Sequence, residues 1–196
     1  MKKVLLLIAI ILVGCFGKSH SQNKGDFIVG VNLGVSPSIS KDVKVTNFGF
    51  GANAMYHMSR IVRVGLGLEY WVPSNTNVEA YHLESGSSYG YYDFKTNIFD
   101  ITANIDFVIK VGNKFSFIPT IGIGYANLSQ GLVIPDFYGR RSSGFVAQGG
   151  LGAEYRITDH IGVNLRVRFQ NIMTKIEDES RNNRRIPITA GISYNF

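Results

Sequence analysis

The chain has little charge and a single cysteine, and past its first dozen residues it has no long apolar run. Asp, Glu, Lys and Arg make up 17% of the 196 residues, against about a quarter in an ordinary soluble domain. So few charges suit a membrane. Yet no uninterrupted apolar stretch in the body of the chain approaches the ~18–20 residues that a spanning helix needs. That excludes crossing by helices but not by strands, which need only ~9–11 residues with every second one apolar. The cysteine, Cys15, lies in the leader segment, so the body can hold neither a disulfide nor a Cys-based metal site. What the chain has in quantity is Gly (22), Phe (13) and Tyr (10).

The one apolar run sits at the start. Lys2 and Lys3 precede Val4 to Val13 (VLLLIAIILV), too short to span and laid out as a secretory signal. Ser19 and Ser21 provide small residues for a cut before Gln22. Leu12-Val13-Gly14-Cys15 offers a competing lipobox-like site, which would make Cys15 a lipidated N-terminus. The cut before Gln22 is favoured because it leads directly into the first strand, dividing the chain into a signal peptide, 1–21, and one domain, 22–196. Removing Lys2, Lys3 and Lys18 with no acid lowers the formal charge from +6 to +3. No basic stripe then remains on a helix or strand, which argues against a nucleic-acid partner.

The rest of the chain alternates apolar and polar residues with period 2, the mark of a two-faced strand. In 62–72, Val62, Val64, Leu66, Leu68, Tyr70 and Val72 oppose Arg63, Gly65, Gly67, Glu69 and Trp71. Residues 99–109 and 161–170 repeat the pattern, and 26–35, 47–58, 115–127, 145–157 and 186–196 follow it with less contrast. Eight strands result, with no helical period in competition. Tight turns fall near Ser59-Arg60, Gly112-Asn113 and Asp159-His160; longer connections span 36–46, 73–95, 128–143 and 171–185. Short turns on one side and long loops on the other predict an all-β, eight-stranded antiparallel up-and-down transmembrane barrel in a bacterial outer membrane, both termini periplasmic.

A soluble barrel of the lipocalin type would point its apolar face inward. Aromatic placement decides against it. On the apolar faces, Phe48, Phe50, Tyr70, Phe99, Tyr125, Phe145 and Phe169 fall at loop-side ends. Phe27, Tyr56, Phe107, Phe115, Phe117, Tyr155, Tyr194 and Phe196 fall at turn-side ends, with aliphatic residues between. Two aromatic levels flanking an aliphatic band are what two membrane interfaces select. The opposite face holds Gly and Asn with Arg63, Glu69, Asp100, Asp106, Glu154, Arg156, Arg166 and Arg168. The interior of an eight-stranded barrel is just wide enough for side chains to fill, so these charges are expected to pair across it.

The chain ends TAGISYNF. Thr189, Gly191, Tyr194 and Phe196 on an alternating last strand resemble the C-terminal β-signal of outer-membrane proteins. Together with the architecture, they make the chain similar to the small eight-stranded OmpX/OmpA-type barrels. The resemblance implies the barrel assembly machinery as a partner during biogenesis, outer-membrane lipid and lipopolysaccharide as surroundings, and a monomer without cofactor or metal. Some relatives of this size modify lipid A with a His and a Ser near the outer leaflet. Here His57 and His160 lie at turns, and only His82, near Ser85, Ser87, Ser88 and Asp93, is suitably placed, with no nucleophile motif. The second long connection is the most unusual segment: Tyr81, His82, Tyr89, Tyr91 and Tyr92 stand among Ser and Gly, a composition favoured in recognition loops. Arg140, Arg141, Arg181, Arg184 and Arg185 are placed in loops, where guanidinium forks suit lipopolysaccharide phosphates. The expected role is therefore non-enzymatic, in envelope structure or surface adhesion through the loops. A lipid A-modifying enzyme and a narrow pore are the alternatives.

Overall fold

In lipid every backbone polar group must be satisfied within the protein, which leaves a two-faced strand no option but a closed sheet. The computed structural model describes residues 25–39, 45–74, 77–82, 89–132, 141–176 and 179–196, and every regular element among them is a strand. In chain order these are β1 (Phe27–Pro37), β2 (Thr46–His57), β3 (Val62–Pro73), β4 (Asn77–His82), β5 (Tyr89–Phe107), β6 (Ile109–Val111), β7 (Phe115–Leu132), β8 (Arg141–Arg156), β9 (Ile161–Ile176), β10 (Glu179–Arg185) and β11 (Ile188–Asn195).

Three of these continue a neighbour rather than add a wall. β4 extends the span of β3 and pairs with β5; β6 extends β5 and pairs with β7; β10 leads into β11 and pairs with β9. Proline explains two of the breaks. Pro119 has no N–H to give the ladder, and pairing of β7 with its neighbour stops at Asp106↔Thr120 and resumes at Ile109↔Phe117. On its other side β5 keeps its ladder, Val108 N–H donating to the Ile61 carbonyl 2.8 Å away. Pro187 interrupts β10 and β11 in the same way, while its carbonyl accepts from Arg168 N–H at 2.9 Å. The eight spans run β3-β2-β1-β11-β9-β8-β7-β5, and β5 pairs back with β3 to close the ring.

Register fixes the shape. Perpendicular partners lead from Ile28 through Met55, Gly65, Asn104, Gly122, Gln148, Gln170 and Arg185 to Ser38, so one circuit of the barrel returns to β1 ten residues further on. Eight strands with that stagger tilt by about 40° and lie on a cylinder of radius about 8 Å. Exposed on its outside are Val31, Leu33, Leu66, Leu68, Ile121, Ile123, Leu151 and Leu165. At this stagger the two sets of outward aromatics become two levels. Phe50, Phe99, Tyr125 and Phe145 belong to one and Tyr56, Phe107, Phe117, Tyr155 and Tyr194 to the other, roughly 20 Å apart. A height close to the ~25 Å apolar band of outer-membrane barrels explains why so much apolar surface stays uncovered.

The three tight turns form where expected. Ser59 Oγ accepts the N–H groups of Ile61 and Val62, and Thr158 Oγ1 accepts those of His160 and Ile161. Gly112 supplies a φ of 76°, which favours glycine. On the other side the strands run further than the alternation predicts: β5 begins at Tyr89 rather than Phe99, and β9 reaches Ile176 rather than Gln170. Above the lipid an outward residue need not be apolar. Pairing there continues through polar sequence that shows no amphipathic contrast.

Candidate functional site

Parity along each strand delivers the charged residues to the lumen, and the register sets who meets whom. Four ion pairs among the described residues cross from the β3–β5 wall to β8, β9 and β10. Arg63 Nη1 meets Glu154 Oε2 at 3.0 Å, Arg166 Nη2 meets Asp106 Oδ2 at 3.0 Å, Arg168 Nη2 meets Glu69 Oε1 at 2.6 Å and Arg185 Nη2 meets Asp100 Oδ2 at 2.5 Å. Asp106 also lies 3.9 Å from Arg63 Nε, which joins the two turn-side pairs. Small residues on adjacent strands make the room. A Cβ on Gly152 would stand 3.1 Å from the Arg166 stem, and one on Gly49 would overlap the Trp71 ring.

An amide chain links the levels. Gln170 Nε2 donates to Gln148 Oε1 at 3.2 Å, Gln148 Nε2 to Asn104 Oδ1 at 2.6 Å, and Asn104 Nδ2 to Thr102 Oγ1 at 3.0 Å. Toward the loops the interior turns apolar. Trp71, Ile98, Ala126, Leu128, Val146 and Ile172 form one buried cluster, with the Arg185 guanidinium 5.0 Å from the Trp71 ring centre. The lumen is thus closed twice, by paired charges and by a plug whose tryptophan the alternation assigns to the polar face.

Two expected site residues belong elsewhere. Arg185, expected in a loop to contact lipopolysaccharide, is 1% exposed; its Nε donates to Gln170 Oε1 and its Nη2 reaches Asp100. The reason is that β10 continues the inward parity of Thr189 across Pro187. Arg156, expected in the interior network, stands half-buried at the turn-side rim, where it lines a shallow depression with Glu154, Asp159 and His160. Arg184 is exposed. Arg141 pairs with Ser129 and Arg181 with Thr174 on the loop-side strand extensions; Arg140 lies outside the described residues.

In the aromatic segment, Tyr81 pairs with Gly90, His82 with Tyr89, Tyr91 with Ala80 and Tyr92 with Glu79, forming a two-stranded ribbon on the loop side. Ser85, Ser87 and Ser88 lie outside the described residues, and Asp93 pairs with Val78. Among the described residues, no group of three or more His, Cys, Asp and Glu is placed to hold a metal ion.

The C-terminal residues close the barrel. Thr189 is buried, the Tyr194 ring stacks on His160 at 5.7 Å and meets Phe196 edge-on at 4.8 Å, and Phe196 N–H donates to the Phe27 carbonyl at 2.9 Å. His160 Nδ1 lies 3.0 Å from the Asn195 carbonyl, a partner that requires Nδ1 to carry the proton. Gly191 sits at the seam, where a Cβ would lie 2.5 Å from the Val31 carbonyl oxygen.

A closed eight-span barrel with an aliphatic belt, two aromatic levels and a filled, ion-paired interior defines an outer-membrane β-barrel protein. The chain belongs to the outer membrane protein beta-barrel domain family, whose model matches residues 6–196. No curated protein matches it. Among solved structures it is similar to Neisserial surface protein A, with a TM-score of 0.66 at 15% identity over 88% of this chain and 99% of that one. A major outer membrane protein from Thermus thermophilus gives 0.60 at 14%, again over 88% and 99%. Ail, the attachment invasion locus protein of Yersinia pestis, in complex with the heparin analogue sucrose octasulfate, gives 0.52 at 12%, also over 88% and 99%. At these identities the likeness is one of fold.

Proposed function

We propose that this protein is a non-enzymatic, monomeric outer-membrane barrel that presents its loop-side strands for surface recognition, with the tight turns and both termini in the periplasm. One observation carries the reading: strand pairing continues well past the outer aromatic level while the lumen beneath is filled. β5 runs ten residues beyond Phe99, from Tyr89 to Ile98, and pairs with β4 and β7 along the way. At a tilt of about 40° this adds on the order of 25 Å of structure above the membrane. A narrow pore is disfavoured by the same filled interior.

The ribbon carries Tyr81, His82, Tyr89, Tyr91 and Tyr92 among small residues, a composition that gives large, adaptable contact area at low entropic cost. On the loop-side extensions of other strands, Arg141, Arg181 and Arg184 supply cations for phosphate or sulfate groups. Ail, which shares the fold, is solved with a sulfated heparin analogue. The test is binding of cells displaying the full chain to immobilised lipopolysaccharide and heparin. Replacing Tyr81, Tyr89, Tyr91 and Tyr92 with Ser, in chains that still fold, is expected to abolish binding to at least one of the two. Unchanged binding to both probes, or none by the unaltered chain, refutes the reading.

A further inference from the structure

Between the two aromatic levels the described glycines face the lumen, with one exception, Gly149. At each of the others an added Cβ would come to 3.1 Å or less from another atom, so packing calls for the glycine. Gly149 has outward parity, like the exposed Leu151 two residues along β8. A Cβ there would meet only the Thr120 carbonyl oxygen, at 3.8 Å. Nothing within the protein asks for a glycine at this point. Inside a strand such a residue weakens the wall, and it marks a place where a ligand or another backbone comes close.

Register surrounds Gly149 with a furrow. Ala147 lies opposite Asn171, Gly149 opposite Phe169 and Leu151 opposite Pro119. At a tilt of about 40° a residue two positions along the neighbouring strand stands straight above or below. Pro119, Gly149 and Asn171 therefore fall on one line parallel to the barrel axis, about 8 Å apart. Leu151 and Phe169 wall one side of this line and Ile121 the other, all three exposed. The furrow is straight and apolar, runs along the membrane normal, and has no side chain at the middle of its floor: it has the course of an acyl chain. Its loop-side head is polar. Asn171 faces outward between Phe169 and Met173, and its Oδ1 is buried without a hydrogen-bond partner. Arg184 pairs with Asn171 from β10 and is exposed. The same tilt puts it above Phe169, just beyond the outer aromatic level. Its carbonyl accepts from Ile39 N–H at 2.9 Å, which fixes the backbone and leaves the guanidinium outside.

We propose that this furrow on β8 and β9 is a binding site for one anionic lipid of the loop-side leaflet. An acyl chain lies over Gly149, and a phosphate meets Arg184, whose guanidinium offers paired donors to it. Asn171 Oδ1 accepts from a hydroxyl or amide N–H at the head of the chain, a donor that an ester-linked chain lacks. A phosphorylated lipid with hydroxylated or amide-linked chains, the chemistry of lipid A, supplies all three contacts. The assignment rests on the phosphate role given to Arg184 above and is independent of the tyrosine ribbon.

The test uses the full mature chain in detergent micelles holding equal amounts of lipid A and phosphatidylcholine, with native mass spectrometry reading which lipid stays on the barrel. One lipid A is expected to be retained in preference to phosphatidylcholine. Arg184→Gln is expected to reduce that preference about five-fold, the factor of a single basic residue at an anionic surface, and Arg60→Gln on the turn side to leave it unchanged. Gly149→Leu is expected to lose most of it while being no less stable in urea, because its Cβ enters open space. Dephosphorylated lipid A is expected to lose the advantage, and inorganic phosphate not to displace the bound lipid. No preference in the unaltered chain, or one that survives Arg184→Gln, overturns the proposal. A preference that falls with Arg184→Gln but not with Gly149→Leu belongs to a headgroup contact without a furrow and overturns it equally. Micelles have no leaflets, so orientation is tested separately. Asn113→Cys, in an exposed turn of a barrel without its own cysteine, is expected to resist an impermeant maleimide on intact cells; labelling there refutes the orientation and leaves the lipid result standing.

Discussion

Replacing Arg185 separates two readings of one residue. If it lies at the surface to contact lipopolysaccharide, Arg185→Met leaves folding untouched and weakens lipid binding. If it lies inside, as the structure places it, the substitution strands the Asp100 carboxylate, which is 0% exposed, without the guanidinium 2.5 Å away. Breaking a buried pair from one side costs about 3–5 kcal/mol, because the remaining charge has no compensation. Loss of the cation over the Trp71 ring, 5.0 Å from its centre, adds about 0.5–2 kcal/mol. Replacing both partners, Arg185→Met with Asp100→Leu, removes the stranded charge and is expected to restore most of the loss. The assay is reversible urea unfolding in lipid vesicles, followed by tryptophan fluorescence from Trp71, the chain's single tryptophan, and by gel mobility with and without boiling. A single variant destabilised by less than about 1 kcal/mol, or a double variant no better than the single, would refute the account of the interior.

Further outcomes follow from the packing. Because the plug around Trp71 and the ion pairs beneath it fill the lumen, the unaltered chain is expected to show no steady conductance in planar bilayers; Trp71→Ala is expected to cost about 3–5 kcal/mol of stability, and a well-defined conductance in the unaltered chain would contradict the closed interior. Gly191→Val puts a side chain where a Cβ already lies 2.5 Å from the Val31 carbonyl oxygen, so folding into pure lipid vesicles, without any assembly machinery, is expected to slow and stability to fall by about 1–3 kcal/mol; unimpaired folding would show that the seam does not require glycine.

The fold was legible because the membrane imposes a constraint that acts on every second residue. Val62 to Val72 must be apolar outside whatever lies inside, so period 2, span number and aromatic levels can all be read from composition and spacing. The luminal charges were legible to the same extent, since parity places Arg63, Glu69, Asp100 and Asp106 on one face. Parity does not say at what height each meets a partner. That depends on the ten-residue stagger, which is a property of the closed ring and of no single strand. Both misplacements trace to strand ends. Arg185 sits in a run, NNRR, that looks like loop because both its faces are polar, and Pro187 hides its continuity with β11. Counting back by twos from Ser193 through Gly191, Thr189 and Pro187 would have put it inside. Arg156 obeys parity but lies where the wall stops, so an inward-pointing residue there meets the rim and not an opposite wall. The plug was hidden for a further reason: Ile98, Val146 and Ile172 stand beside the outward apolar residues Phe99, Phe145 and Met173, and two adjacent apolar faces erase the alternation by which strands are recognised. An apolar residue of inward parity at a loop-side strand end is therefore the sequence signal of a capped lumen.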